Sequence, residues 1–337
     1  MMNQEASLVT ANTEPKAAPV SLGERVVFVD ILRGFALIGV LTANMFSFSG
    51  QSYRPADLAG LDRILVATVR FLVEAKFYSM FSLLFGWGMA VQMLRADARG
   101  TRFVPTFLRR LTSLLAIGIV HSFFLWTGDF LTTYAMYGYL LLAIRKIPSK
   151  IIPILVIVAL IIPIVLSAPG EALDSFREWY QNLTEFMRFG NLDDHLYADG
   201  SYLEITRLRI QETLNGESYF IYTFGNIFSM FMLGLYIGKR RIFHDIKEHL
   251  TLVRRVLPIS LVIGLVFNGL YIYALLNPDV VEAQYYRLLT RGARTIGAPA
   301  LMLFYVSSLI LLLQKPNWQE RLAPLGNVGR MALTNYR

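Results

Sequence analysis

The chain contains no cysteine. That excludes disulfides, thiolate metal sites and a cysteine nucleophile. Charge is also scarce: 17% of the 337 residues are Asp, Glu, Lys or Arg, against about 25% in a typical soluble domain. Only four histidines occur, His121, His195, His244 and His249. No pair of them shares a helix at zinc-ligand spacing with a third ligand nearby. Walker-type and dinucleotide glycine loops are missing, and so is an N-terminal apolar stretch with a small-residue cleavage site. Together these absences exclude a disulfide scaffold, a disordered chain and a basic nucleic-acid-binding domain.

What the sequence has in abundance is apolar residues: 55% are hydrophobic and mean hydropathy is +0.47. After a polar stretch, residues 1–25, read as a short mobile cytoplasmic tail, eight charge-free runs follow. They cover residues 34–53, 77–94, 111–128, 130–144, 151–168, 218–238, 256–278 and 295–314. A helix needs roughly 20 apolar residues to cross about 30 Å of hydrocarbon. Most of the runs meet that length, and none alternates with period two as a barrel strand would. Because lipid cannot satisfy backbone N–H and C=O groups, such runs must be helical. The expectation is an all-α polytopic membrane protein with about eight transmembrane helices. Five lie in residues 26–168 and three in 218–337, on either side of an external segment, 169–217. The lipid bilayer is then its first partner.

The net charge of +8 fits cytoplasmic loops better than nucleic acid. Arg95, Arg99, Arg102, Arg109 and Arg110 cluster against Asp97; Arg145, Lys146 and Lys150 form a second group. Lys239, Arg240, Arg241, Lys247, Arg254 and Arg255 form a third, and Lys315, Arg321, Arg330 and Arg337 a fourth. All fall on one side, which places the N-terminus inside. The intervening stretch 169–218 carries ten acidic residues and four arginines and falls outside. Within it, Leu173, Phe176, Tyr180, Leu183 and Met187, then Leu203, Ile205, Leu208 and Ile210, recur at helical intervals. They predict two amphipathic helices at the outer mouth. Gly234 and Gly238 form a small-xxx-small pair suited to helix packing.

Polar residues inside the bilayer are costly and therefore informative. Arg33 and Asn44 are eleven residues apart, so they share one helix face roughly 16 Å apart. Arg33 lies near the cytoplasmic side, either a snorkelling anchor or a donor-binding group. Asn44 lies near the outside, as packing glue or a site residue. His121 sits at a depth similar to that of Asn44. Asp129 follows the turn at Thr127-Gly128, where it can cap the next helix or orient His121. Glu74 and Lys76 stand at the external start of the second run, as a rim ion pair or as part of the same mouth.

The pieces Asp30-x-x-Arg33-Gly34 with Asn44; Lys76-Phe77 with Phe81-Ser82-Leu83-Leu84-Phe85-Gly86; His121 with Gly128-Asp129-x-Leu131 and Tyr134-Ala135; and Gly329-Arg330-Met331-Ala332-Leu333-Thr334-Asn335-Tyr336 occur in this order. In them the chain resembles the YeiB family of bacterial inner-membrane proteins, whose C-terminal part is a domain of unknown function (418). Members usually continue past the last piece with further membrane helices, so the resemblance implies a C-terminally truncated member. The family is in turn similar to transmembrane acyltransferases, including the lysosomal heparan glucosaminide acetyltransferase and bacterial O-antigen acetyltransferases. In the latter, an arginine is followed after ten residues by a histidine; here Asn44 holds that place, closer to the lysosomal type. The resemblance implies acyl transfer from an acyl-CoA donor, with no bound cofactor, to a small-molecule or glycan acceptor. His121 would be the base, Asn44 the oxyanion donor, Asp129 the orienting carboxylate and Arg33 the donor-binding group. A small-solute transporter and a non-catalytic membrane subunit are the alternatives.

Overall fold

The computed structural model describes residues 26–48, 55–171, 173–175, 178, 196–215 and 223–334. The tail 1–25 and most of the first expected amphipathic stretch, 171–189, lie outside the described residues. Every regular element among those described is helical. In chain order the principal ones are α1 (Val27–Phe48), α2 (Gly60–Leu72), α3 (Lys76–Ala98), α4 (Phe103–Phe124), α5 (Leu131–Ala143) and α6 (Ile152–Val165). There follow α7 (Tyr202–Asn215), α8 (Ser229–Lys239), α9 (Leu250–Leu276), α10 (Ala293–Leu312) and α11 (Pro316–Thr334). Single π-helical turns, Phe224–Phe228 and Leu288–Gly292, lead towards α8 and α10.

Over their described residues, all eight charge-free runs lie mainly on helices. Four segments are long and apolar enough to cross a bilayer: Val27–Met45, Phe103–Phe124, Ile246–Leu276 and Ala283–Leu312. The helices α5, α6 and α8 are shorter, at 13, 14 and 11 residues. α3 has 23 residues but carries Lys76, Arg95 and Asp97. The outward faces of the long helices are apolar: Ile117, Ile119 and Val120 on α4, and Ile259, Val262 and Val266 on α9, are exposed. Water would not tolerate such continuous bands, and lipid requires them. The chain is an all-α membrane protein.

The spine of the bundle is the α3–α8 pair, buried from two sides. Phe77, Met80, Leu83 and Trp87 of α3, with Met230 and Ile237 of α8, belong to a core shared with α1 and α10. Met89 and Ala90, with Phe231, Met232 and Leu235, face a second core built with α4, α5 and α6. Association in lipid relies on close van der Waals packing rather than on expelling water, and glycine provides it here. A Cβ on Gly86 would lie 1.9 Å from Phe231 O, and one on Gly234 2.0 Å from Leu83 O. The Gly234/Gly238 pair is thus the α3-facing seam.

Besides α7, which the sequence predicts as an amphipathic helix, two of the principal helices lie outside the expected eight. α2 follows α1 as an amphipathic helix whose apolar side, Leu61, Ile64, Leu65 and Leu72, is exposed. Its other side is fixed: Val66 is buried and Arg63 Nη2 donates to Leu276 O at 3.0 Å. α11 occupies the stretch that carries the fourth basic group, where no helix was expected, and it packs along α1. There Gly34 meets Leu325 O and Gly329 meets Asp30 O, each at 1.9 Å from a built Cβ. Backbone contact therefore joins the first and last pieces of the motif.

Candidate functional site

Helix α4 ends and α5 begins at one end of the bundle, and the turn between them holds the first polar centre. His121 Nδ1 lies 3.1 Å from Asp129 Oδ1, with the Asp129 side chain 2% exposed and that of His121 32%. This is ion-pair distance without hydrogen-bond alignment. The other carboxylate oxygen, Oδ2, accepts from Thr132 N at 2.9 Å. One aspartate thus both caps α5 and faces the histidine, so the two contacts are compatible with each other. Gly118, one turn before His121, makes room: a Cβ there would lie 2.5 Å from Thr132 N and 3.0 Å from Asp129 Oδ2. Trp126 meets the His121 ring edge-to-face at 6.4 Å. The amphipathic helix expected at 202–214 is α7, which lies over this end. Its Tyr202 Oη and Arg209 Nη1 donate to Phe124 O at 3.1 and 2.9 Å.

A second polar centre lies at the same end. Glu74 sits in the α2–α3 turn, and its Oε1 accepts from Arg294 Nη1 at 2.9 Å while Oε2 accepts from Tyr271 Oη at 3.0 Å. Lys76 is 0% exposed and donates from Nζ to Arg70 O at 2.9 Å. Ala75, between them, has φ 69°. A left-handed conformation is uncommon for a residue with a Cβ and costs energy that surrounding contacts must offset. It turns the chain sharply enough for α3 to begin on a buried lysine. The two centres are neighbours: Tyr78 stacks on Phe130 at 5.5 Å, and Tyr134 Oη, one turn further along α5, donates to Tyr78 O at 2.7 Å.

Of the two readings of Glu74 and Lys76, a rim ion pair or part of the mouth, the first gives way to a wider set of contacts, with Glu74 on Arg294 and Tyr271 and Lys76 on Arg70 O. Arg294 and Tyr271 escaped the sequence reading because they are 220 and 197 residues from Glu74. The one available signal was that Arg287, Arg291 and Arg294 crowd a short stretch that the sequence reading puts at the outer side, where cations are less expected. Arg33 Nη1 is 2.9 Å from Asp30 Oδ1, within the α1–α11 joint. Asn44 is half-buried on α1. α1 packs on α2, α3, α10 and α11, whereas α4 packs on α3, α5 and α7. The dyad and the acidic–basic network are therefore joined through α3. Among the described residues no group of three His, Asp or Glu side chains could hold a metal ion.

Residues 237–336, the end of α8 through α11, match a family described as protein of unknown function (DUF418). The chain is 34% identical over 351 residues to the uncharacterized protein YxaH of Bacillus subtilis (strain 168), covering 94% of this chain and 80% of that protein. It is 28% identical over 329 residues to an uncharacterized 39.9 kDa protein in the amylase 3' region of Bacillus acidopullulyticus, covering 94% and 78%. Escherichia coli (strain K12) YeiB is 34% identical over 121 residues, 34% of this chain and 30% of that protein. No solved structure matches. An all-helical membrane bundle that aligns over most of its length with YxaH, and carries the DUF418 region at its C-terminal end, belongs to the DUF418 family.

Proposed function

We propose that the chain is a multi-pass protein of the bacterial cytoplasmic membrane that transfers an acyl group from cytoplasmic acyl-CoA to an acceptor on the outer side. In this reading the N-terminus is inside and the His121 end of the bundle opens outward. The observation that carries it is the His121–Asp129 contact, because it has the polarity that acyl transfer needs. A carboxylate facing Nδ1 favours the tautomer with its proton there, which leaves Nε2 as the acceptor. Nε2 takes the proton of an acceptor hydroxyl or amine as that group attacks the thioester carbonyl. The tetrahedral intermediate collapses, the C–S bond breaks, and CoA leaves as the thiol with the proton His121 had taken. Asn44, at comparable depth on α1, supplies an amide N–H to the developing oxyanion. Arg33, one-half of the membrane away, meets the anionic donor. The basic loops at that end raise the local concentration of a phosphate-bearing donor.

The test is turnover by the purified chain in liposomes with acyl-labelled acyl-CoA on the Arg33 side and a hydroxylated acceptor on the His121 side. Release of CoA together with labelled acceptor supports acyl transfer. Uptake of a solute without CoA release marks a transporter instead, and neither event marks a non-catalytic subunit.

A further inference from the structure

His121 stands on a boundary of α4. At about 100° per residue, Ile117, Phe124 and Val120 lie roughly 40°, 60° and 100° to one side of it, and Gly118 and Ser122 roughly 60° and 100° to the other. Ile117, Val120 and Phe124 are exposed, whereas Gly118 and Ser122 are buried. The Gly118 side is closed by α5 through Thr132 and Asp129. Nδ1 of the histidine is buried against Asp129. The 32% exposure of the side chain therefore belongs to the rest of the ring, on whose far edge Nε2 stands.

The exposed flank is a lipid-facing one. Of the apolar span Phe103–Phe124, 17% is buried, against 56% for Ala283–Leu312. α4 thus presents most of its circumference outward, and in a bilayer that surface meets lipid chains. Approach along the helix axis is different. α7 crosses the end of α4, with Tyr202 Oη and Arg209 Nη1 both donating to Phe124 O and with Thr206 and Leu208 buried. Trp126 adds its ring edge-to-face against His121. α7 also exposes Tyr202 and Leu203 at this end, next to the exposed Leu125, as a helix at the membrane interface does. The route from water is crossed by protein, and the route from the side is not.

Depth completes the argument. His121 precedes the last residue of α4 by three positions, roughly 4.5 Å along the axis. That is the level at which a lipid carries its polar head, while its chains run alongside the helix towards the bilayer centre. We propose that the group admitted to His121 is the head of a membrane lipid, which moves sideways along the exposed flank of α4 with its chains against Ile117 and Val120. The inference rests on the acyl-transfer reading for its chemistry and names the acceptor class, a lipid-borne hydroxyl or amine. That group passes its proton to Nε2 and takes the acyl group as an ester or amide, and CoA leaves as the thiol with the same proton.

Two measurements on the full chain in lipid nanodiscs test it. The first uses the absence of cysteine. A nitroxide is attached in turn to the His121→Cys, Ile117→Cys and Ser201→Cys variants, and its relaxation by oxygen, which dissolves in lipid, is compared with that by a water-soluble nickel chelate. The oxygen-to-chelate ratio at position 121 falls with that at 117; a ratio matching that at 201 opens the site to water and overturns the proposal. The second gives the unsubstituted chain acyl-labelled acyl-CoA with equal amounts of phosphatidylglycerol and its deacylated, water-soluble head, which carry the same hydroxyls. The lipid takes the label in large excess. Equal or greater label in the soluble head overturns the lipid assignment and leaves acyl transfer standing. No CoA release with either acceptor counts against acyl transfer itself, and the nitroxide comparison then decides the sideways opening. If His121→Cys does not fold, the acceptor competition decides alone.

Discussion

The two ends of the bundle use the same residue types in opposite ways. At one end Arg99, Arg102, Arg109, Lys247, Arg254 and Arg255 surround the helix termini, and all six are exposed on the surface. Lys239 there caps a neighbour, with Nζ donating to Arg145 O and Ile147 O at 2.6 and 2.8 Å. At the other end, beside exposed pairs such as Arg287 with Asp174, charged groups at the helix turns are drawn inward and matched across helices: Asp129 to His121, Glu74 to Arg294 and Tyr271. Exposed cations can act through their summed field, which orients the protein and attracts anions. Groups that are part-buried and individually paired have paid a desolvation cost, and it is on them that the proposed chemistry is placed.

The comparison breaks most completely if the two ends do not face opposite compartments. Because the chain has no cysteine, single-cysteine variants label without background. Ser201→Cys should react with a membrane-impermeant maleimide in intact cells, and Thr101→Cys only after permeabilisation; the reverse pattern inverts the assignment. The next largest effect is in stability. Arg294→Glu places two carboxylates together beside Tyr271 and should cost roughly 2 kcal/mol, below the 3–5 of a fully buried pair because both side chains are part-exposed. Arg109→Glu, on the exposed end, should stay within about 0.5 kcal/mol. Equal effects in thermal melts would erase the difference between the ends.

The smallest effect concerns His244, beside the exposed cations and stacked on Trp87 at 5.7 Å. Burial pushes its pKa below the ordinary 6.5, Arg241 and Arg95 push it the same way, and Asp245 opposes them. A histidine with a lowered pKa binds its proton more readily when unfolded. Its contribution is therefore unaffected well above pH 6.5 and turns unfavourable as pH falls from 6.5 through the lower folded value. A modest decline in melting temperature over that window, absent in His244→Phe, is the expected result.

The helical runs were legible because each is a charge-free stretch of sufficient length, and His121 and Asp129 because a short turn keeps them close in space. α2 was not, since Asp62, Arg63 and Arg70 break up any charge-free run along its sequence and it packs by one edge only. α11 was not, because its sequence is polar overall and contains Pro324; its place depends on glycine contacts with α1 that lie some 300 residues apart in sequence. Arg294 and Tyr271 share that cause. Their partner is fixed by how the α9–α10 pair packs against α3, which no local pattern encodes.

The central claim, that the inward polar end is a site of chemistry, is tested most directly by His121→Ala in the acyl-CoA turnover assay. The expected result is a fall of about a hundredfold or more, with membrane insertion and the α3–α8 spine intact. Wild-type turnover in that variant would contradict the account.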